Sequence, residues 1–158
     1  MIDTILIYLT AFSALVWLVI LLLPWQPWRN HILLHIPQPG KEPPDLNEIT
    51  VVIPARNEAQ VISGTLIALA SQGEGLKVIL VDDGSTDGTA DQARSITGLD
   101  LSIVNGQPLP NGWMGKVWAL EQGRRCVQTR YTLLLDADIQ LVPGVISGLL
   151  EQARRGFA

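Results

Sequence analysis

Four short apolar runs constrain any fold of this chain: "ITVVIP" at 49–54, "KVILVD" at 77–82, "LSIVN" at 101–105 and "YTLLLD" at 131–136. Their β-branched content marks them as strands, the third being the weakest. "VVIP" and "VILV" lack the polar alternation of a strand with one wet face. They predict a sheet buried on both sides, and Tyr131 to Leu135 reads the same way. The segments between them have helical spacing. "NEAQVISGTLIALASQ" puts Ile62, Leu66 and Leu69 on one face, with Asn57 as its cap. "STDGTADQARSI" begins a second helix, capped by Asp87 or Ser85. "WMGKVWALEQGRRCVQ" aligns Val117, Leu120 and Val127, and "PGVISGLLEQARR" puts Pro143 in a first helical turn. Strands alternating with helices across short turns predict an α/β protein: a mostly parallel sheet with helices on both faces.

One segment lies outside this alternation. From Ile5 to Trp25, "ILIYLTAFSALVWLVILLLPW" has no charged residue and holds much of the 47% hydrophobic content. About 20 apolar residues at ~1.5 Å rise cross a ~30 Å hydrocarbon core. A transmembrane anchor over 1–28 is expected. The alternative is a cleaved signal peptide, but no Lys or Arg precedes the run and no small-x-small site follows it. Trp25 and Trp28 suit an interfacial aromatic belt. Arg29 and Lys41 follow the run and Asp3 precedes it. The positive-inside rule then predicts a single-pass protein of the inner (cytoplasmic) membrane, cytoplasmic from residue 29 onward. Residues 29–48, "RNHILLHIPQPGKEPPDLNE", contain four prolines and read as a juxtamembrane linker. His31 and His35 have metal-like i, i+4 spacing but no third ligand nearby, so an interfacial segment is the better reading. Cys126 is the one cysteine; it excludes an internal disulfide and is expected as a small apolar residue on a helix face. A net charge of −4 with 11 basic residues, and no basic stripe, argues against nucleic acid as a partner.

Polar residues collect at three strand ends: "PARNE" after the first strand, "DDGS" after the second, "DAD" after the fourth. Parallel α/β folds bind ligands at the carboxyl ends of their strands. No G-x-G-x-x-G, G-x-x-x-x-G-K-[ST] or G-x-S-x-G is present. A dinucleotide fold of the usual kind, a P-loop and a nucleophile elbow are therefore not expected. "VDDGSTDGT" can be ordinary turn chemistry. A turn needs only one Asp, however, and Asp82 and Asp83 together can accept from ribose hydroxyls or a nucleobase N–H. Carboxylates behind an apolar run are costly to bury unless paired, hydrogen-bonded or bound to a metal. If the strand stays extended, Asp136 and Asp138 point to one side. Two hard oxygen donors suit Mg²⁺ or Mn²⁺ together with substrate phosphates. The plainer reading is a strand-end turn with a helix cap. Lys116 starts a helix, where the dipole disfavours a cation. It makes sense facing an anion, and otherwise is a solvated surface lysine.

"VVIPARNEA", "VDDGSTDGTA", "GKVWALEQG" and "LLLDADI", in this order, resemble the donor half of a family 2 glycosyltransferase of the Rossmann-like GT-A fold. "GQPLPNGWMGKVWALEQG" behind a membrane helix is similar to the hopene-associated glycosyltransferases of bacterial hopanoid clusters. The resemblance covers about residues 49–146 and assigns 49–158 to a nucleotide-sugar-binding half, incomplete at its C-terminus. It implies that Pro54, Ala55 and Glu58 lie along the nucleotide and that Asp83 contacts the base. Lys116 would face the nucleotide or diphosphate, Asp136 the ribose and metal, and Asp138 the metal. The implied reaction is inverting, metal-dependent sugar transfer from a nucleotide-sugar, a UDP-sugar by preference, to a lipid or polysaccharide acceptor. The family's general base lies beyond the DxD strand, so no catalytic residue is assigned. Three other readings stand beside this one. The first is a donor-site fragment that binds without transfer. The second is a nucleotidyltransferase, against which "PARNEAQ" lacks a glycine-rich loop. The third is a phospho-acceptor receiver domain built on Asp82 and Asp83.

Overall fold

The computed structural model describes residues 2–22, 34, 36 and 43–156 of the 158-residue chain. Trp25, Trp28, Arg29, His31, His35, Pro37 and Lys41 lie outside the described residues. The chain divides into two units, residues 1–33 and 34–158. The first holds helix α1 (Ile2–Leu22), whose described side chains are almost all exposed. By length and composition, and with a mean hydropathy of 2.6, it is the one helix among the described residues able to cross a membrane.

The second unit runs β1 (Ile49–Ala55), α2 (Ile62–Ala70), β2 (Lys77–Asp82), α3 (Thr89–Arg94), β3 (Asp100–Asn105), α4 (Gly115–Cys126), β4 (Tyr131–Leu134) and α5 (Val145–Arg155). All strand pairs are parallel, in the order β3-β2-β1-β4. The expected α/β sheet is therefore present. Successive side chains leave opposite faces of a strand, and β1 shows it. Val51 and Ile53 join the core formed with Ile62, Leu66 and Leu69 of α2, Ala93 of α3, and Ile146 and Leu150 of α5. Val52 faces the other way and packs with Ile79, Val81 and Ala119 under α4. Helices thus cover both sides of β1 and β2, which explains the unbroken apolar runs of those strands.

Several local expectations do not hold. Strand β4 is not buried on both faces: among the described residues it is the last strand of the sheet, α4 packs over β1 and β2, and Leu134 is 56% exposed. Of the face expected for α4, Leu120 and Val127 pack against the core half-buried, but Val117 is exposed and the fully buried residues are Ala119, Gln122 and Gly123. Small residues let this helix lie close to the sheet. Cys126 is exposed at the end of α4 rather than packed. Helix α2 starts at Ile62 without a side-chain cap, so Asn57 does not cap it. Neither Ser85 nor Asp87 is the N-cap of α3, which is Gly88. Pro143 precedes the N-cap of α5, Gly144, instead of lying in its first turn.

Candidate functional site

The strand order puts a switch point beside β1. The chain moves from β1 to β2 and β3 on one side, then returns to β4 on the other. Loops leaving β1 and β4 diverge there, opening a crevice at the carboxyl ends of the strands. The structure has an open cleft of about 360 Å³ at this place, within the size range of small-molecule sites. Pro54, Ala55, Glu58, Asp83, Lys116, Asp136 and Asp138 all line it. These residues come from three strand ends and one helix N-terminus, up to 84 positions apart in sequence.

The second strand end separates carboxylates that look alike in sequence. Asp82 accepts the Ser85 N–H at 3.0 Å, closing its own turn. Asp87 accepts the Ala59 N–H at 3.0 Å and the Thr89 hydroxyl at 2.6 Å. Those bonds, the Thr89 hydroxyl first and then the Ala59 N–H, hold its carboxyl below the ordinary carboxylate range. Asn57 sits in the left-handed region at φ 58, where Asn is tolerated. Its N–H donates to Ser85 Oγ and its Oδ1 accepts the Thr86 N–H. The Glu58 N–H donates to the buried Thr89 hydroxyl oxygen at 2.8 Å. Loop 56–59 and loop 82–89 are thus laced together, and Asp83 is the acid of its loop left facing the cleft. A Cβ on Gly115 would come within 3.3 Å of Asp83 Oδ2, tighter than ordinary contact, so glycine at the start of α4 leaves the Asp83 carboxylate room.

The fourth strand end differs from its sequence reading. The ladder finishes where the Leu135 N–H donates to the Val52 carbonyl at 3.1 Å. Extended geometry does not continue to Asp138. The chain turns, with the Ile139 N–H donating to the Asp136 carbonyl at 3.2 Å. Asp136 and Asp138 still line the same cleft, and both are exposed. The burial cost that motivated their reading does not arise, because β4 lies at the edge and the turn opens to solvent. Lys116 Nζ lies 2.7 Å from Asp136 Oδ1, which supplies the anion that a lysine at a helix start calls for. Asp138 makes no hydrogen bond or ion pair within the described residues.

Arg56, Gly115, Ala119 and Ala137 also line the cleft. Arg56 stands 3.5 Å from Asp83 as an exposed pair. Its sequence signal was its place inside "PARNE". Loop 106–114 is fastened to α4 by Gln107, whose N–H donates to Gln122 Oε1 at 2.7 Å and whose carbonyl accepts the Trp118 indole N–H at 3.1 Å. Outside the cleft, Arg124 and then Arg125 lower the Glu121 carboxyl to about 2; this is an exposed ion-pair network on α4.

The cleft sets two cations, Arg56 and Lys116, against four carboxylates, Glu58, Asp83, Asp136 and Asp138. A divalent ion fits this donor set in a particular way. Among the described residues, no three His, Cys, Asp or Glu side chains gather closely enough to hold a metal alone. Mg²⁺-type ions are commonly held by one or two carboxylates, with waters and substrate phosphates completing the shell.

Sheet order and strand-end cleft define a parallel α/β protein with an open crevice at its switch point. Within that class the chain belongs to glycosyl transferase family 2, whose sequence model matches residues 50–158. It is 32% identical over 114 residues to a 4,4'-diaponeurosporenoate glycosyltransferase of Staphylococcus haemolyticus, covering 69% of this chain and 30% of that protein. A Staphylococcus aureus protein of the same name is 36% identical over 91 residues, 58% of this chain and 24% of its own length. The chain therefore spans less than a third of these curated relatives. By structure, it superposes on Staphylococcus aureus TarS residues 1–349 with a TM-score of 0.58 at 22% identity, covering 66% of this chain and 31% of that one. It also superposes on a Pyrobaculum calidifontis mannosyltransferase, solved with GDP-Man and Mn²⁺, with a TM-score of 0.50 at 29% identity, covering 64% and 31%.

Proposed function

We propose that residues 49–158 form the donor-binding half of a metal-dependent, inverting glycosyltransferase that takes a nucleotide-sugar, with a UDP-sugar as the first choice. The observation that carries this reading is the cleft at the switch point, lined by acidic residues from three strand ends. Membership of the family supports the reaction class. The Mn²⁺ and GDP-Man of the mannosyltransferase support a divalent ion and a nucleotide-sugar. Asp83 accepts from the base, with Pro54, Ala55 and Glu58 along the nucleotide. Lys116 exchanges its bond to Asp136 for one to the diphosphate. Asp138, with Asp136, holds Mg²⁺ or Mn²⁺, which when bound stabilises the departing nucleoside diphosphate. The acceptor is a lipid: the relatives are named for 4,4'-diaponeurosporenoate, and the subfamily resemblance points to a hopanoid-related one. Calorimetry on the full chain in detergent tests the donor reading. UDP-glucose and GDP-mannose are titrated with Mn²⁺ and with EDTA. Metal-dependent heat from one of them is the expected result. Binding of neither, with or without Mn²⁺, would remove the proposed function.

Residues 1–28 act as a single inner-membrane anchor and 29–48 as the linker, placing 49–158 in the cytoplasm. The apolar helix α1 supports this, as do Arg29 and Lys41 after it. A reporter fused at residue 45 should be active in the cytoplasm; periplasmic activity would reverse the orientation.

A further inference from the structure

We infer that Thr65 and Gln72 of α2 are positioning residues that set the turn bearing Asp136 and Asp138, an inference that rests on the metal reading above. Neither side chain touches the cleft. Both are buried, at 0% and 1% exposure. A Thr inside a helix commonly bonds back to its own preceding turn. Thr65 instead donates its hydroxyl across the structure to the carbonyl of Ala137, at 2.7 Å. Ala137 lies between the two carboxylates and is itself buried. Gln72 Nε2 donates to the carbonyls of Leu141, at 3.2 Å, and Val142, at 3.0 Å. Gln72 Oε1 accepts the N–H of Ile146 at 3.3 Å. These bonds meet a specific need. Past Leu135 the chain has left the sheet, and buried backbone polar groups must find other partners. The turn is thus held at its start by Val52, at its middle by Thr65 and at its far end by Gln72. Asp138 follows the Ala137 peptide directly, so rotation of that peptide moves the Asp138 carboxylate.

Thr65→Val keeps the shape and removes the donor. The Ala137 carbonyl then has no partner where it is buried, and the peptide must rotate to find one. Metal ligands tolerate only small displacements, and loss of an outer partner costs about 10–100-fold in affinity. In calorimetry on the full chain, Thr65→Val should bind UDP or GDP in Mn²⁺ at least about 10-fold more weakly than wild type. Its affinity for the same nucleotide in EDTA should not change, and Thr65→Ser, which restores the hydroxyl, should recover Mn²⁺-dependent binding. A general loss of packing would not produce that split or that rescue. If Thr65→Val does not fold, Thr65→Ala carries the same comparison. Equal Mn²⁺-dependent affinity in Thr65→Val and wild type would overturn the positioning role alone. So would a Thr65→Ser as weak as the Val variant, or an equal loss in EDTA. A wild type with no metal dependence would overturn the metal reading and this inference with it.

Discussion

Asp138→Asn is expected to abolish Mn²⁺-dependent binding of a nucleotide-sugar while leaving the fold intact. Asp138 makes no hydrogen bond or ion pair within the described residues, so the folded state loses no contact when its charge goes. What changes is the cleft. Four carboxylates face two cations there, and Asp136 is already engaged by Lys116. An anionic diphosphate entering this site meets like charge unless a divalent ion bridges carboxylate and phosphate. Asn keeps the shape and one oxygen but gives up the charge. The loss should exceed the about 10–100-fold that changes outside the ligand sphere cause. Calorimetry with UDP-sugar and Mn²⁺, paired with a thermal melt, reads both halves of the expectation. Equal metal-dependent affinity in the two proteins would return "DADI" to a plain strand-end turn.

Gly123→Ala should destabilise the protein, against the sign that helix propensity gives. In an exposed helix interior, Ala in place of Gly stabilises by about 1 kcal/mol. Gly123 is buried in α4, and a Cβ there would stand 2.4 Å from Val52 Cγ1 and 3.0 Å from Val81 Cγ2. Those methyls belong to β1 and β2 in the middle of the sheet and are fully buried. The helix must lift or the valines must leave their rotamers. Overpacking of this kind costs about 1–3 kcal/mol, roughly 2–4 °C per kcal/mol for a chain of this size. Because α4 carries Gly115 and Lys116 into the cleft, a lifted helix should also weaken nucleotide binding. A melting temperature at or above that of wild type would show that α4 does not lie so close to the sheet.

The alternation of strands and helices was legible because its signals are local. Two-sided burial leaves apolar runs, and a helix face leaves Ile62, Leu66 and Leu69 at fixed spacing. Acidic strand ends were legible for the same reason, since parallel sheets gather polar groups there. The apolar character of residues 5–25 was likewise plain from composition alone.

Strand order is not a local property. "YTLLLD" reads like "VILV", yet one strand lies at the edge and the other in the middle, and only pairing assigns those places. From that edge position follow the exposure of Leu134, the early end of the ladder and the open turn at Asp136. Asp82, Asp83 and Asp87 are equally acidic in sequence. Their division came from loop 56–59 closing onto loop 82–89, which engaged Asp87, while Ser85 engaged Asp82 and Asp83 was left to the cleft. Periodicity found Leu120 and Val127, which pack at the border of the α4 contact, but it also counted the exposed Val117 and passed over Ala119 and Gly123, which close packing on a sheet selects for lack of bulk. Thr65 and Gln72 carried no signal at all. Their partners lie 72 and 69 or more positions away, and a hydrogen bond across that separation exists only once β4 has returned beside β1. The sequence by itself determined the elements and the acidity of their ends, through periodicity and composition. The tertiary structure alone decided which acids face the cleft and what holds them, because those depend on contacts between segments distant in the chain.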